Sequence, residues 1–228
     1  PGNKERARGL AREFLSALPR DERSRIWVRI NPIGSPEAGT DLGTVMPAGP
    51  AGIVLPKALS PENVELLGRR IGTYEAEYEI KVGSTRILPV ATETPASVFS
   101  LGEYVNCGPR LAGLTWGAED LSAAVGAASA REVDGSWTSP YRLVRNLCLF
   151  AAHAAGVEAI DTLHANFRDT AGLEASCAEA RRDGFTGKLA IHPDQVEIIN
   201  HAFTPSAGEL EHARRVVDLF EANPGAGT

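Results

Sequence analysis

The sequence predicts an α/β fold, specifically a (β/α)8 TIM barrel, from three features. Six short apolar segments each lead into a helix or helical turn, and no hairpin signal interrupts them. Two successive units within 87–120 end their strands in carboxylates, at Glu93 and at Glu119-Asp120. Strict alternation of this kind builds a parallel sheet with helices outside it. An open doubly wound sheet fits the same alternation, but no G-x-G-x-x-G follows a strand, which weakens that alternative. Eight strands require two more than the six found. The abrupt start at Pro1-Gly2-Asn3 implies that the first one or two precede Pro1, and the stop at Pro224-Gly225-Ala226-Gly227-Thr228 is equally abrupt. The expectation is one barrel domain over 1–228, truncated at both ends.

The elements follow in order. Asn3 caps a helix over 4–18 whose apolar face is Leu10, Phe14 and Leu18, and Pro19 ends it. The first strand, 26–30, stops at Asn31-Pro32, because proline cannot continue a ladder. Residues 34–49 are rich in Gly, Pro and Thr without a period, so they read as a long functional loop with at most one helical turn. A strand over 52–57 precedes Ser60 as N-cap and a helix from Pro61 through Arg70. Strand 87–92 gives way to a helix over 96–105, and strand 111–116 to a helix over 121–127. A second irregular stretch, 126–138, precedes a helix from Ser139-Pro140 to Gly156 with Leu143, Leu147 and Phe150 as its buried stripe. Strand 158–161, helix 169–182 closed by Gly184, and strand 188–191 ending at His192-Pro193 complete the alternation. Helices over 194–202 and 209–222 follow, the second opened by the Ser206/Glu209 capping box.

Composition narrows the function classes. A net charge of −6 argues against a nucleic-acid or anionic-membrane partner. No apolar run is long enough to span a bilayer and no signal-peptide pattern opens the chain. Cys107, Cys148 and Cys177 have neither disulfide nor zinc spacing, which predicts inert thiols in a reducing cytoplasm.

The chemistry concentrates at strand ends. An ionised carboxylate such as Glu93, ending an otherwise apolar strand, is costly unless paired or bound to a cation; a solvated loop acid is the alternative. Asp120 is placed to cap the helix that follows it, with one oxygen left for a ligand, and Glu119 reads as a supporting or solvated acid. Two carboxylates at the carboxyl ends of neighbouring parallel strands, without Cys or His beside them, form an all-oxygen site suited to Mg²⁺. Arg29 inside an apolar strand needs a ligand anion or a structural acid. Lys57, after its strand, suits a phosphate contact or a Schiff-base amine, although no apolar pocket is signalled to lower its pKa. His192 reads as a structural donor or a site-lining residue, and His153, His164, His201 and His212 have no ligand spacing. No G-x-S-x-G turn supports a serine hydrolase.

At Val28-Arg29-Ile30-Asn31-Pro32, Val54-Leu55-Pro56-Lys57, Glu93-Thr94, Gly117-Ala118-Glu119-Asp120-Leu121 and Ala190-Ile191-His192-Pro193-Asp194-Gln195, the sequence resembles the citrate lyase β-subunit-like family. These motifs span nearly the whole chain. The resemblance implies a barrel that is usually oligomeric, with trimers common, and that binds Mg²⁺ while making or breaking a carbon–carbon bond in a CoA thioester. It puts metal ligands at Glu93 and Asp120 and the substrate-binding arginine at Arg29. Lys57 matches the family's lysine, with a cofactor contact as its implied role, while the amides of Ala118 and Glu119 are expected to help bind the substrate anion. Relatives also carry an earlier D-x-E-D segment and a C-terminal lid that supplies an acid–base aspartate; neither is matched here, so the proton-transfer residue is not assigned. The implied activity is cleavage of malyl-, citramalyl- or citryl-CoA into an acyl-CoA and a 2-oxo acid. The alternatives are a metal-dependent aldolase on free hydroxy-oxo-diacids and a non-catalytic homologue that binds CoA or a partner. Substrate discrimination is expected from 34–49 and 126–138.

Overall fold

The computed structural model describes residues 3–223, so the ends at Pro1-Gly2 and at 224–228 lie outside the described residues. The fold is mixed α/β and divides into two compact units. One comprises the chain to Thr162 with Gly184–Thr186, the other Leu163–Asp183 and the chain from Gly187.

In the first unit β1 (Trp27–Arg29), β2 (Gly52–Leu55) and β3 (Arg86–Pro89) pair in parallel in that order. β4 (Gly113–Thr115) pairs in parallel with β5 (Glu158–Asp161). Parallel bridges Ile87–Leu111 and Val90–Thr115 carry the ladder from β3 to β4. They are reinforced by Ile87 N–H donating to Arg110 O at 2.8 Å and Ala91 N–H to Thr115 O at 2.8 Å. Strand order therefore follows chain order, without the reversal that marks the switch point of a doubly wound sheet. Ile53, Leu55, Ile87, Leu114 and Ala159 are fully buried along these strands. A fully buried aliphatic side chain of Leu or Ile size contributes about 1.5–3 kcal/mol.

The helices of this unit depart from the sequence expectation in instructive ways. α1 (Lys4–Ala17) buries Leu15, whereas Leu10 and Phe14 are exposed, so the anticipated apolar face is the solvent face. A short α2 (Arg20–Arg23) follows. The expected loop over 34–49 holds α3 (Glu37–Val45) and a 3₁₀ turn, Met46–Ala48. Ala38, Leu42 and Val45 form its buried stripe, hidden in sequence by low-propensity Gly39, Thr40, Gly43 and Thr44. α4 (Pro61–Glu77) runs past Arg70, burying Val64, Leu67, Ile71 and Glu75. α5 (Pro95–Phe99) is capped reciprocally by Thr94 and Ser97, then loosens into a 3₁₀ stretch, Leu101–Asn106.

α6 (Ala118–Val125) starts earlier than expected, with Gly117 as N-cap, so Asp120 lies in the first turn and is not the cap. Residues 126–138 are largely irregular but close on an antiparallel bridge, Arg131–Trp137, which the absence of a hairpin signal did not anticipate. The Arg131 guanidinium covers the Trp137 ring at 3.5 Å, and Trp137 meets Trp116 edge-on at 5.0 Å. α7 (Ser139–Ala154) buries Tyr141, Val144, Arg145, Cys148 and Leu149, leaving the expected stripe of Leu143, Leu147 and Phe150 exposed.

One buried ion pair pins α4 to the strand starts. The Glu75 carboxylate is fully buried and bonds Arg110 through both oxygens, at 2.9 and 2.5 Å. It also accepts from Gly83 N–H at 2.8 Å and Thr85 N–H at 2.9 Å. Burial pushes its pKa up, but Arg110 and the two amides outweigh that, and the carboxyl stays below its ordinary range.

The second unit contains α8 (Thr170–Asp183), β6 (Gly187–Lys188), α9 (Asp194–Phe203) and α10 (Ala207–Ala222). Leu173 and Cys177 pack with Ile199. The Ser206/Glu209 capping box forms as the sequence predicts.

Candidate active site

Because β1 to β4 run parallel, their carboxyl ends share one rim. Arg29 closes β1, Lys57 and Glu93 follow β2 and β3, and Asp120 begins the helix after β4. The structure brings all four together. Glu93 is 5% exposed. Its Oε2 accepts the Lys57 main-chain N–H, while Oε1 lies 3.9 Å from Arg29 Nη2. The Lys57 Nζ donates to Asp120 Oδ1 at 2.8 Å. Lys57 thus holds one carboxylate by its amide and the other by its ammonium.

That double contact depends on an unusual backbone. Lys57 adopts φ +53°, a left-handed conformation that costs a non-glycine residue roughly 1–3 kcal/mol. Glycine serves the site from the other side. A Cβ on Gly117 would lie 2.8 Å from Glu93 Cγ and 3.2 Å from Val90 Cγ1, so only glycine lets the Glu93 side chain pass. Gly117 N–H donates to the buried Thr92 Oγ1 at 3.0 Å, fixing the entry to α6. Behind it, Trp116 Nε1 donates to Asp161 Oδ1 at 2.7 Å, and Arg145 Nε lies 3.3 Å from the same oxygen.

The charges separate clearly. Burial raises the Glu93 pKa, and the adjacent Asp120 carboxyl, within hydrogen-bonding reach, raises it further. Lys57 pulls the Asp120 pKa down, and Asp120 pushes the Lys57 pKa up. A lysine stabilised as ammonium is a poor Schiff-base nucleophile, so that role does not suit Lys57.

The donor set fits a hard cation. Two converging carboxylates supply oxygen alone, and no group of three or more His, Cys, Asp or Glu residues that could hold a metal forms among the described residues. Such a pair leaves most coordination positions to water and substrate, as Mg²⁺ prefers, and lacks the nitrogen or sulfur cage of a structural zinc site.

The other sequence candidates fall as follows. Arg29 ends its strand with its side chain 63% exposed and with the buried Glu93 as its nearby acid, so the expected anionic partner is present while the outer face of the guanidinium stays open. Ala118 and Glu119 share the first turn of α6 with Asp120; Ala118 is buried and Glu119 exposed. His192 stacks on Phe167 at 4.4 Å and accepts Asp194 N–H at 3.2 Å, both within the second unit. Thr92, Gly117 and Asp161 were missed. Asp161 ends an apolar strand as Glu93 does, a signal that was available; Gly117 stood in a family motif without a role, and Thr92 gave no signal.

The comparisons with known proteins converge. The family described as HpcH/HpaI aldolase/citrate lyase matches residues 1–193. A citrate lyase subunit beta-like protein of Mycobacterium tuberculosis is 32% identical over 216 residues, covering 95% of this chain and 72% of that protein. A (3S)-malyl-CoA thioesterase of Cereibacter sphaeroides is 32% identical over 219 residues, covering 94% of this chain and 69% of the relative. Among solved structures, protein CitE of M. tuberculosis in complex with magnesium, acetoacetate and coenzyme A is 30% identical with a TM-score of 0.74. That match covers 97% of this chain and 75% of the other.

Proposed function

The chain belongs to the HpcH/HpaI aldolase/citrate lyase family, and from that premise we propose a Mg²⁺-dependent carbon–carbon lyase acting on a 3-hydroxyacyl-CoA. Its substrate is of the malyl-, citramalyl- or citryl-CoA kind, cleaved to an acyl-CoA and a 2-oxo acid. The observation that carries this reading is the buried Glu93 carboxyl meeting Asp120 on the strand-end rim, with Lys57 touching both and Arg29 alongside. The unreversed order of five parallel strands supports a (β/α)8 barrel domain over 1–228.

Glu93 and Asp120 would hold Mg²⁺, which when bound supplies Lewis acidity to the oxygens of the 2-oxo acid half. Arg29 offers a planar, exposed guanidinium to the substrate carboxylate and to the negative charge that develops on the thioester enolate. The Ala118 and Glu119 amides at the start of α6 favour the same anion. Lys57 orients the carboxylate pair. Its engagement with Asp120 argues for that role over a contact to coenzyme A. In this reading the enzyme works in the cytoplasm as a homo-oligomer, for which a trimer is the form to test by sedimentation; no described helix is long and apolar enough to cross a membrane.

The test is cleavage of malyl-, citramalyl- and citryl-CoA, with Mg²⁺ and again with chelator. Glu93→Ala and Asp120→Ala are each expected to abolish Mg²⁺-dependent cleavage in a protein of unchanged circular dichroism, and full turnover in either retires the site. Product analysis separates the neighbouring chemistries. Release of free CoA and an intact hydroxy acid would support thioester hydrolysis, which the name of the Cereibacter relative favours. Turnover of free hydroxy-oxo-diacids would indicate a CoA-independent aldolase, and ligand binding without cleavage of any substrate a non-catalytic homologue.

A further inference from the structure

A cavity lies at the other end of the same strands. Its volume is about 510 Å³, within the roughly 300–1,000 Å³ typical of small-molecule sites. Trp27 and Arg86, the first residues of β1 and β3, line it, as do Arg20 and Arg23 of α2 and the turn after α4 with Lys81. Four cations therefore face one carboxylate, that of Glu79, in a chain whose net charge is −6.

Two of these cations, Arg23 and Arg86, are held without being neutralised. Arg23 donates to the carbonyls of Leu18 at 2.8 Å and Ala48 at 3.1 Å. Arg86 donates to Leu111 O at 2.8 Å and Arg110 O at 3.4 Å. Neutral carbonyls fix the guanidinium planes but leave the charge unbalanced. Among the described residues Arg20, Arg23, Lys81 and Arg86 enter no ion pair. What distinguishes the cavity is that its lining brings four such cations together around one carboxylate.

An aromatic surface adjoins the charge. Trp27 is 37% exposed, and its ring lies over Gly52 so closely that an added Cβ would sit 2.3 Å from it. Glycine at the start of β2 therefore lets the indole pack closely against the strand, where any side chain would collide with it. Tyr78, 39% exposed, lines the same cavity. Pre-oriented guanidiniums suit phosphate oxygens, and an exposed indole suits a planar heterocycle.

We propose that this cavity binds a nucleoside polyphosphate, with Arg23 and Arg86 on the phosphates, Arg20 and Lys81 adding charge at the mouth, and Trp27 stacking on the base. The site is independent of the lyase reading, because it shares no residue with the carboxylate rim.

The experiment titrates the full chain with ADP and with inorganic pyrophosphate, in magnesium-free buffer containing chelator. Binding is followed by calorimetry and tryptophan fluorescence. ADP is expected to bind saturably, quench fluorescence and bind more tightly than pyrophosphate. Arg20 and Lys81 are exposed, so the double variant Arg20→Glu/Lys81→Glu should keep its fold, checked by circular dichroism, and lose about tenfold or more in affinity. Trp27→Phe should abolish the quench while calorimetry still detects weakened binding. Arg29→Ala, at the opposite rim, should bind ADP as the parent does. The proposal fails if calorimetry detects no ADP binding at millimolar concentration, or if the charge-reversed protein binds equally well. It also fails if Arg29→Ala abolishes binding, which would assign the nucleotide to the carboxylate rim.

Discussion

Glu93 shows how one side chain couples chemistry to acidity. Its proton is held more tightly than usual because burial and the Asp120 carboxyl both disfavour the anion, and only the anion can grip a cation. Mg²⁺ binding to the metal-free protein is therefore expected to weaken as pH drops through this raised pKa. Because bound cation opposes protonation, the acid limb of cleavage measured at subsaturating Mg²⁺ should move to lower pH as Mg²⁺ is raised. Lys57 sets where that limb lies. Replacing it as Lys57→Met removes the ammonium that stabilises the Asp120 anion, so the limb should move to higher pH and kcat should drop. A pH–rate profile compares the two proteins, and an unmoved limb would show that Lys57 does not tune the pair. At this scale the sequence was informative wherever a charge ended an apolar segment, as at Arg29, Glu93 and Asp120. It was silent on the role of Gly117 and on the left-handed backbone of Lys57, because no residue type advertises a main-chain amide aimed at a carboxylate.

Elements are positioned by contacts that join distant segments. Gly117 admits the Glu93 side chain beside the N-terminus of α6, so Gly117→Ala should displace it. Misplacement of about 1 Å can cost on the order of 10²-fold in rate, so kcat should collapse while the global fold survives. Parent-like kcat in that variant would mean the rim tolerates the shift. At the other end of the strands, Arg110→Met leaves the Glu75 carboxylate buried without its partner. Breaking a buried pair this way costs roughly 3–5 kcal/mol, readable by urea denaturation at neutral pH. The sign is set by the depressed folded pKa of Glu75. Its stabilisation is present above the unfolded glutamate pKa and is lost as pH falls through the folded value. The gap between parent and variant should therefore narrow in acid; a constant gap would remove the ion pair from the account. Element types and order were largely readable from apolar runs and proline punctuation, although several boundaries moved. Buried faces were less so. In α1 and α7 the most regular apolar spacing, Leu10/Phe14 and Leu143/Leu147/Phe150, points to solvent, because periodicity finds a stripe but not the neighbour that covers it.

At the scale of the molecule, alternation gave parallel strands in chain order, but a fold hosts many chemistries, and the lyase reading comes from motifs and relatives. Site and stability are nevertheless linked. A carboxyl whose folded pKa is raised favours folding only while protonated. That contribution is complete below the unfolded pKa and is lost as pH rises through the folded value, so at neutral pH the Glu93 anion weighs against the metal-free fold. Glu93→Gln keeps the shape and an acceptor for the Lys57 amide while removing the charge. It should raise metal-free stability by about 1 kcal/mol, or roughly 2–4 °C in Tm for a domain of this size, while abolishing cleavage. Cation binding gives the complementary signal. Mg²⁺ at a hundred times its Kd should add about 2.7 kcal/mol to the parent, a rise of roughly 5–10 °C, because it binds the folded carboxylate pair. The Gln variant should show little of that rise. Thermal scans of both proteins, with Mg²⁺ and with chelator, test the two effects together. If Glu93→Gln melts below the parent without metal, or shares its full response to Mg²⁺, the buried anion is neither the cost nor the cation ligand argued here.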